Sequence, residues 1–306
     1  MSHKIVAWVL FISFALSSAL FAQGVGSDMT ALDKLSSIEK TYYGTEQTGA
    51  LVDRTGRLEK DIYGSVSKDA LMTKVNRLYN YTKISDLSKP SFVLKLNAVE
   101  WNLTHVVTSQ SGKFRMENLE KTLTGNPDQG AFDYRLNHLL KLAYSNSQVD
   151  VAQASVKQDT LIKVKLVTPL SSKDNRACDA FTYVVSEDVF DNGILVIAKG
   201  ALGQGTVKGV DQSGSFGRDA KLQLTFNSVE AVDGTVLDTV LGDKAKEKTS
   251  SLATAAGASA AGMIILGPVG IIGGAFVHGH DVVMPVDTEL YIQQKNDASI
   301  YGLTVK

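Results

Sequence analysis

A repeat of about twenty residues fills the first half of the chain and constrains its fold more than any other feature. Ile38-Glu39-Lys40-Thr41-Tyr42-Tyr43-Gly44 recurs as Leu58-Glu59-Lys60-Asp61-Ile62-Tyr63-Gly64 and as Leu119-Glu120-Lys121-Thr122-Leu123-Thr124-Gly125. Weaker copies start at Leu78, Val99 and Leu139, so six units follow one another with a single inserted residue. Self-similarity at a fixed short period signals a stacked array, because one such unit cannot bury its own apolar face.

Within a unit, apolar residues fall mostly seven and three before the start, at the start and four after it. In the second copy these positions are Leu51, Thr55, Leu58 and Ile62; in the sixth they are Phe132, Leu136, Leu139 and Ala143. Steps of four, three and four trace one stripe of an α-helix. Gly44, Gly64 and Gly125 suit the left-handed residue that closes a helix, and Asn126-Pro127 reads as the cap and first turn of the next one. Each unit is expected to be one helix of about 14 residues, roughly 21 Å long, followed by a tight turn. Turns that brief predict successive antiparallel helices.

A basic residue lies four before every start: Lys34, Arg54, Lys74, Lys95, Arg115 and Arg135. Two readings stand. These residues flank the array in solvent or pair with Glu39, Glu59 and Glu120; alternatively they form a basic row that docks an anionic polymer of the cell envelope. Tyr42, Tyr43, Tyr63 and Tyr144 read as core packing at helix ends, with sugar stacking as the alternative. The units resemble the short Leu-Glu-Lys-x-x-Tyr-Gly helical repeats of exported envelope proteins in cyanobacteria and other two-membrane bacteria. That resemblance covers about residues 30–145 and implies a location, not an activity.

Residues 1–22 agree with that location. Lys4 gives a charged start, Ile5 to Leu16 is almost wholly apolar, and Leu20-Phe21-Ala22 ends in a small residue before Gln23. This is the layout of a secretory signal peptide, so the protein is expected in the periplasm or outer membrane of a diderm bacterium. The lone Cys178 excludes an internal disulfide. Its place just before the apolar run Ala180–Val185 predicts burial.

After Asn146 the period changes to two. Ile162, Val164 and Leu166 alternate with Lys163 and Lys165, and Leu222, Leu224 and Phe226 with Lys221, Gln223 and Thr225. Ala180–Val185, Ile194–Ala198, Thr206–Val210, Val229–Val232 and Glu289–Gln294 are further predicted strands, with turns at Asn192-Gly193, Lys199-Gly200 and Asp233-Gly234. Many short strands with glycine turns point to a small β-barrel or sandwich over residues 155–306.

That domain carries an odd insertion. Thr249–Val277 is 29 residues without a charge, and Gly267-Pro268-Val269-Gly270 breaks it into an expected helical hairpin. Gly257 and Ala261 on one row, and Gly270 and Gly274 on another, recur at the four-residue step that lets helix backbones approach closely. With Gly267 they are the candidate contacts to a membrane or to further copies of the chain; burial on the barrel is the alternative. Ser186-Glu187-Asp188-Val189, Gly193-Ile194-Leu195-Val196-Ile197-Ala198-Lys199-Gly200, Arg218, Leu222-Gln223-Leu224-Thr225-Phe226 and Asp233-Gly234 resemble the barrel domain of the outer-membrane channel subunit of conjugation and type IV secretion machines. In that family a hairpin inserted into the barrel crosses the outer membrane, which implies the same role for this insertion.

Catalytic signals are weak. His278-Gly279-His280-Asp281 is the densest group of metal-type side chains, and a site there would need ligands from elsewhere; it reads as a polar loop. No nucleophile elbow, Walker loop or HExxH is present. With 31 basic and 32 acidic residues no global field favours nucleic acid. The expected architecture is α+β: a helical repeat domain over 28–146, then a barrel-like domain with an apolar hairpin at 249–277. The expected function is a non-enzymatic envelope scaffold without cofactor or metal, docking through its repeats and associating with the outer membrane or with itself. The alternatives are a component of an outer-membrane secretion or transport channel, and an envelope hydrolase with scattered carboxylates.

Overall fold

The computed structural model describes residues 29–213, 218–255 and 281–305, with 252–255 in backbone only. The repeat becomes six helices: α1 (Ala31–Tyr43), α2 (Leu51–Tyr63), α3 (Leu71–Lys83), α4 (Phe92–Thr104), α5 (Gly112–Thr124) and α6 (Phe132–Ala143). Five have 13 residues and α6 has 12. Gly44, Gly64 and Gly125 close their helices at φ 82, 83 and 87. His105, where the repeat lacks glycine, takes the same left-handed position at φ 54, whereas α3 and α6 end on extended Ile84 and Tyr144.

The connections are not tight turns. Residues 44–50, 64–70, 105–111 and 125–131 form linkers of seven residues, and 84–91 carries the inserted one. Asn126-Pro127 therefore lies inside a linker, ahead of the actual N-cap Ala131. A linker of this length spans about 23 Å when extended, enough to return along a helix of about 20 Å. Side chains confirm the return. Tyr43 Oη, at the end of α1, donates to Asp61 Oδ2 near the end of α2 at 2.7 Å. Tyr63 at the end of α2 meets Tyr81 near the end of α3, ring centroids 5.4 Å apart. Asn102 near the end of α4 donates to the Ala143 carbonyl at the end of α6 at 2.9 Å. Within the trio α1–α3, and for α4 and α6 within the trio α4–α6, neighbours thus run in the same sense, and the expected antiparallel alternation fails there because the linkers are long. The two trios meet end to start: Tyr42 of α1 stacks on Phe132 of α6 at 5.0 Å and contacts Phe92 of α4 at 4.3 Å.

The second half holds β1 (Val151–Val156), β2 (Leu161–Leu166), β3 (Leu170–Ser171), β4 (Ala180–Val185), β5 (Val189–Asp191), β6 (Ile194–Ile197), β7 (Leu202–Asp211), β8 (Lys221–Glu230), β9 (Val236–Val240), α7 (Asp243–Ala255), β10 (Val283–Met284), β11 (Glu289–Gln294) and β12 (Ala298–Thr304). The order β11-β2-β4-β7-β8-β9 closes into a six-stranded antiparallel barrel. A second sheet, β1-β12-β6-β5, lies beside it, and β10 pairs with β3. The expected strand at Val229–Val232 is the end of β8 and its turn.

Inside the barrel, Phe181 and Tyr183 of β4 stand opposite Gly205 and Gly203 of β7. Their rings cover these glycines, and any Cβ there would lie inside the ring atoms. Phe226 completes the cluster, 5.4 Å from Phe181 and 5.2 Å from Tyr183. Small residues on one strand make room for aromatics on the next, which is how a narrow barrel fills its interior.

One helix joins the halves. Phe92, Leu96 and Val99 of α4 belong to the helical core, while Leu94, Ala98 and Trp101 belong to the β core. Asn97 Nδ2 donates to the Val232 carbonyl at 2.8 Å, Trp101 Nε1 to Asp188 Oδ2 at 3.0 Å, and the Val107 amide to the Lys199 carbonyl at 2.8 Å. In α2 the corresponding face is polar: Asp53, Arg57 and Lys60 are exposed.

Candidate functional site

Four of the six basic residues of the repeat, Arg54, Lys74, Arg115 and Arg135, serve as internal clamps. Arg54, Arg115 and Arg135 are buried, each facing the glutamate fifteen residues earlier. Arg54 Nε and Nη2 reach Glu39 at 2.9 and 2.6 Å. Arg115 Nε reaches Glu100 at 3.0 Å, and Arg135 forks onto Glu120 at 2.8 and 2.7 Å. Lys74 lies 3.1 Å from Glu59. The same glutamates hold the returning linkers: Gln47, Thr108 and Asp128 donate backbone amides to Glu39, Glu100 and Glu120 at 2.9, 3.0 and 3.0 Å.

Burial works to raise the Glu59 carboxyl, but hydrogen bonds from Ser67, Lys74 and Arg77 outweigh it and hold the group below the usual carboxylate range. The Glu120 hydrogen bond, opposed by burial, raises Arg135 further.

Lys34 and Lys95 have no glutamate at that spacing. Lys34 donates to Asn76 at 2.8 Å. Lys95 is half-buried over the Tyr81 ring at 5.9 Å, and burial lowers it against the pull of Asp133. The expected basic row is therefore not an exposed stripe, since a buried guanidinium is stable only when paired. Cations that do face outward are Lys60, Lys121 and Lys141, in the last turns of their helices, where they complement the helix dipole. Each stands two residues after the start of its unit, and that shared position was the signal that could have singled them out.

The insertion leaves and re-enters the barrel on anchored segments. Gln293, buried in β11, accepts the Ala245 amide of the first turn of α7 at 3.0 Å and donates to Asp159 at 2.8 Å. Thr249 Oγ1 accepts the Tyr291 amide at 2.9 Å and donates to the Ala245 carbonyl at 2.8 Å. On the return, Ser172 exchanges two hydrogen bonds with Val282 at 2.9 and 3.1 Å. Asp281 accepts from Ser213 at 2.9 Å and pairs with Lys173 at 2.8 Å. Residues 249–255 of the charge-free run are thus the end of α7. Gly257, Ala261, Gly267, Gly270 and Gly274, with His278 and His280, lie outside the described residues. Among the described residues no helix is long and apolar enough to cross a membrane, and no group of three or more His, Cys, Asp or Glu could hold a metal ion.

Cys178 is exposed, which corrects its expected burial. It sits in the turn before β4 at φ 74, where its amide donates to the Val207 carbonyl at 2.8 Å. The apolar run that begins two residues later points its first inward side chain from Phe181.

No protein-family model and no curated protein matches the chain. Among solved structures it is similar to ComB10 of the Com Type IV secretion system of Helicobacter pylori, at 14% sequence identity and a TM-score of 0.26, over 47% of this chain and 89% of that one.

Proposed function

We propose that the protein is a non-enzymatic structural component of the cell envelope of a two-membrane bacterium, in which a helical array and a β-barrel are locked together to present the insertion between β9 and β10. The observation that carries this reading is the anchoring of both ends of a charge-free run of residues. Gln293 and Thr249 hold the outgoing helix, and Ser172, Ser213 and Lys173 hold the returning strand. A barrel that fixes both ends of a run of small and apolar residues is suited to press it against lipid or against another copy. The chain's exported-type leader and its envelope-type repeats support the same compartment.

Fractionation tests the reading. The full chain should stay with the outer membrane until detergent is added, or leave osmotic-shock fluid only as a multimer. A variant joining residue 255 to 281 through a short Gly-Ser link should be released as a monomer with an unchanged melting temperature. A full-length protein released as a monomer without detergent overturns the proposal.

A further inference from the structure

The last two helices of the repeat array, α5 and α6, frame a groove that the earlier pair α2 and α3 fills for itself. At the α2–α3 junction, Arg77 in mid-helix reaches across the linker. Its guanidinium donates to Asp69 at 2.6 Å, to Ser67 at 2.9 Å and to Glu59, and lies 5.8 Å from the Tyr63 ring centre. Glu59 thereby receives two cations, Lys74 and Arg77. The α5–α6 junction repeats the frame in part: Glu120 stands for Glu59, Asp128 for Ser67 and His138 for Arg77, while Thr124 replaces Tyr63 and Gly130 replaces Asp69, so the one linker carboxylate moves from 69 to the Ser67 position. Histidine is shorter. Its Nδ1 stops at Asp128, 3.0 Å away, and Glu120 receives Arg135 as its one cationic partner among the described residues. What remains is a groove of about 260 Å³ lined by Glu120, Asp128, Pro127, Tyr134, His138 and Leu142.

We propose that this groove binds the guanidinium of an arginine side chain presented by a partner protein, in the place that Arg77 takes at the earlier junction. The chemistry matches on three counts. Glu120 and Asp128 share one fixed guanidinium, that of Arg135, whereas Glu59 and Asp69 share two cations, Lys74 and Arg77. Planar guanidinium donors match carboxylate oxygens in pairs. Tyr134, 61% exposed, offers an aromatic face at the mouth, and its ring lies 6.4 Å from that of His138; such faces attract cations. The site is remote in sequence from the insertion, so its test is independent of membrane association.

The experiment titrates N-acetyl-L-arginine methylamide into the full chain and follows the backbone amide signals of Asp128 and Gln129. The signals should shift to saturation, and the neutral citrulline analogue should bind at least tenfold more weakly. His138→Arg should fill the groove internally, abolishing the shift and raising Tm by about 2–4 °C. Tyr134→Ser, on the exposed rim, should keep the fold and weaken binding at least threefold. Absence of a saturable shift, equal binding of citrulline, or undiminished binding by His138→Arg or Tyr134→Ser overturns the proposal. Tighter binding of free L-arginine than of the blocked residue overturns the assignment to a partner's side chain.

Discussion

Arg135 forks onto Glu120 across the α5–α6 linker, Nε to Oε1 at 2.8 Å and Nη2 to Oε2 at 2.7 Å, with both side chains almost wholly removed from solvent. Glu39–Arg54 and Glu100–Arg115 repeat the relationship at the same separation of fifteen residues. The glutamate of the repeat motif is thus one half of a clamp whose other half opens the following unit. Each clamp also captures the linker between them.

Breaking one half should cost far more than removing both. Glu120→Gln leaves Arg135 buried without its charge partner and should lower stability by about 3–5 kcal/mol. The double replacement Glu120→Met with Arg135→Met should lose much less, because no unpaired charge remains. Urea midpoints of the four species in a double-mutant cycle check this, and equal losses in single and double variants would contradict it.

Asn97 is one of the polar ties between array and barrel. Its Oδ1 accepts from Arg115 at 2.7 Å while its Nδ2 donates to Val232. Asn97→Ala should cost about 1–3 kcal/mol by leaving both groups unsatisfied. It should also uncouple the two halves, so that far-ultraviolet circular dichroism and tyrosine fluorescence report different melting transitions in the variant. Coincident, unshifted curves would count against the seam.

Gly205 should not tolerate a methyl group. Gly205→Ala drives a Cβ into the Phe181 ring and should destabilise the protein by about 1–3 kcal/mol. If the ring is the cause, Phe181→Leu should recover part of the loss when combined with it. An additive double variant would place the strain elsewhere.

Stability should fall in acid partly through Glu59. Its folded-state carboxyl titrates below the usual range because hydrogen bonds from Ser67, Lys74 and Arg77 outweigh the opposing effect of burial, so the folded chain binds the proton less well than the unfolded one. The contribution is fully present above about pH 5.5 and is lost as pH falls below about 4, through the lowered folded value. Glu59→Gln should be less stable at pH 7 and should show a shallower loss between pH 5 and 3. Parallel pH profiles for the two proteins would exclude Glu59 as a contributor.

Period and alternation determined which segments become helix and which become strand. The stripe Leu51, Thr55, Leu58 and Ile62 has to be buried in any array of such units, and Ile162, Val164 and Leu166 have to face a core. Left-handed closure at Gly44, Gly64 and Gly125 was equally readable, because glycine adopts it without a steric penalty. The polarity of the stack was not readable. Helix direction depends on how far a linker reaches, and a glycine marks where a helix ends but not where the next begins. The roles of Arg54, Arg115 and Arg135 were likewise open, since a basic residue on a helix flank has the same local pattern whether it meets water or a glutamate fifteen residues away. α4 carries apolar residues on two faces, and only the tertiary structure shows that Leu94, Ala98 and Trp101 meet the barrel while Phe92, Leu96 and Val99 meet the array. Patterns of neighbours along the chain report which surfaces must leave water; the partner each surface finds is set by contacts between distant segments, whose free energies no local pattern records.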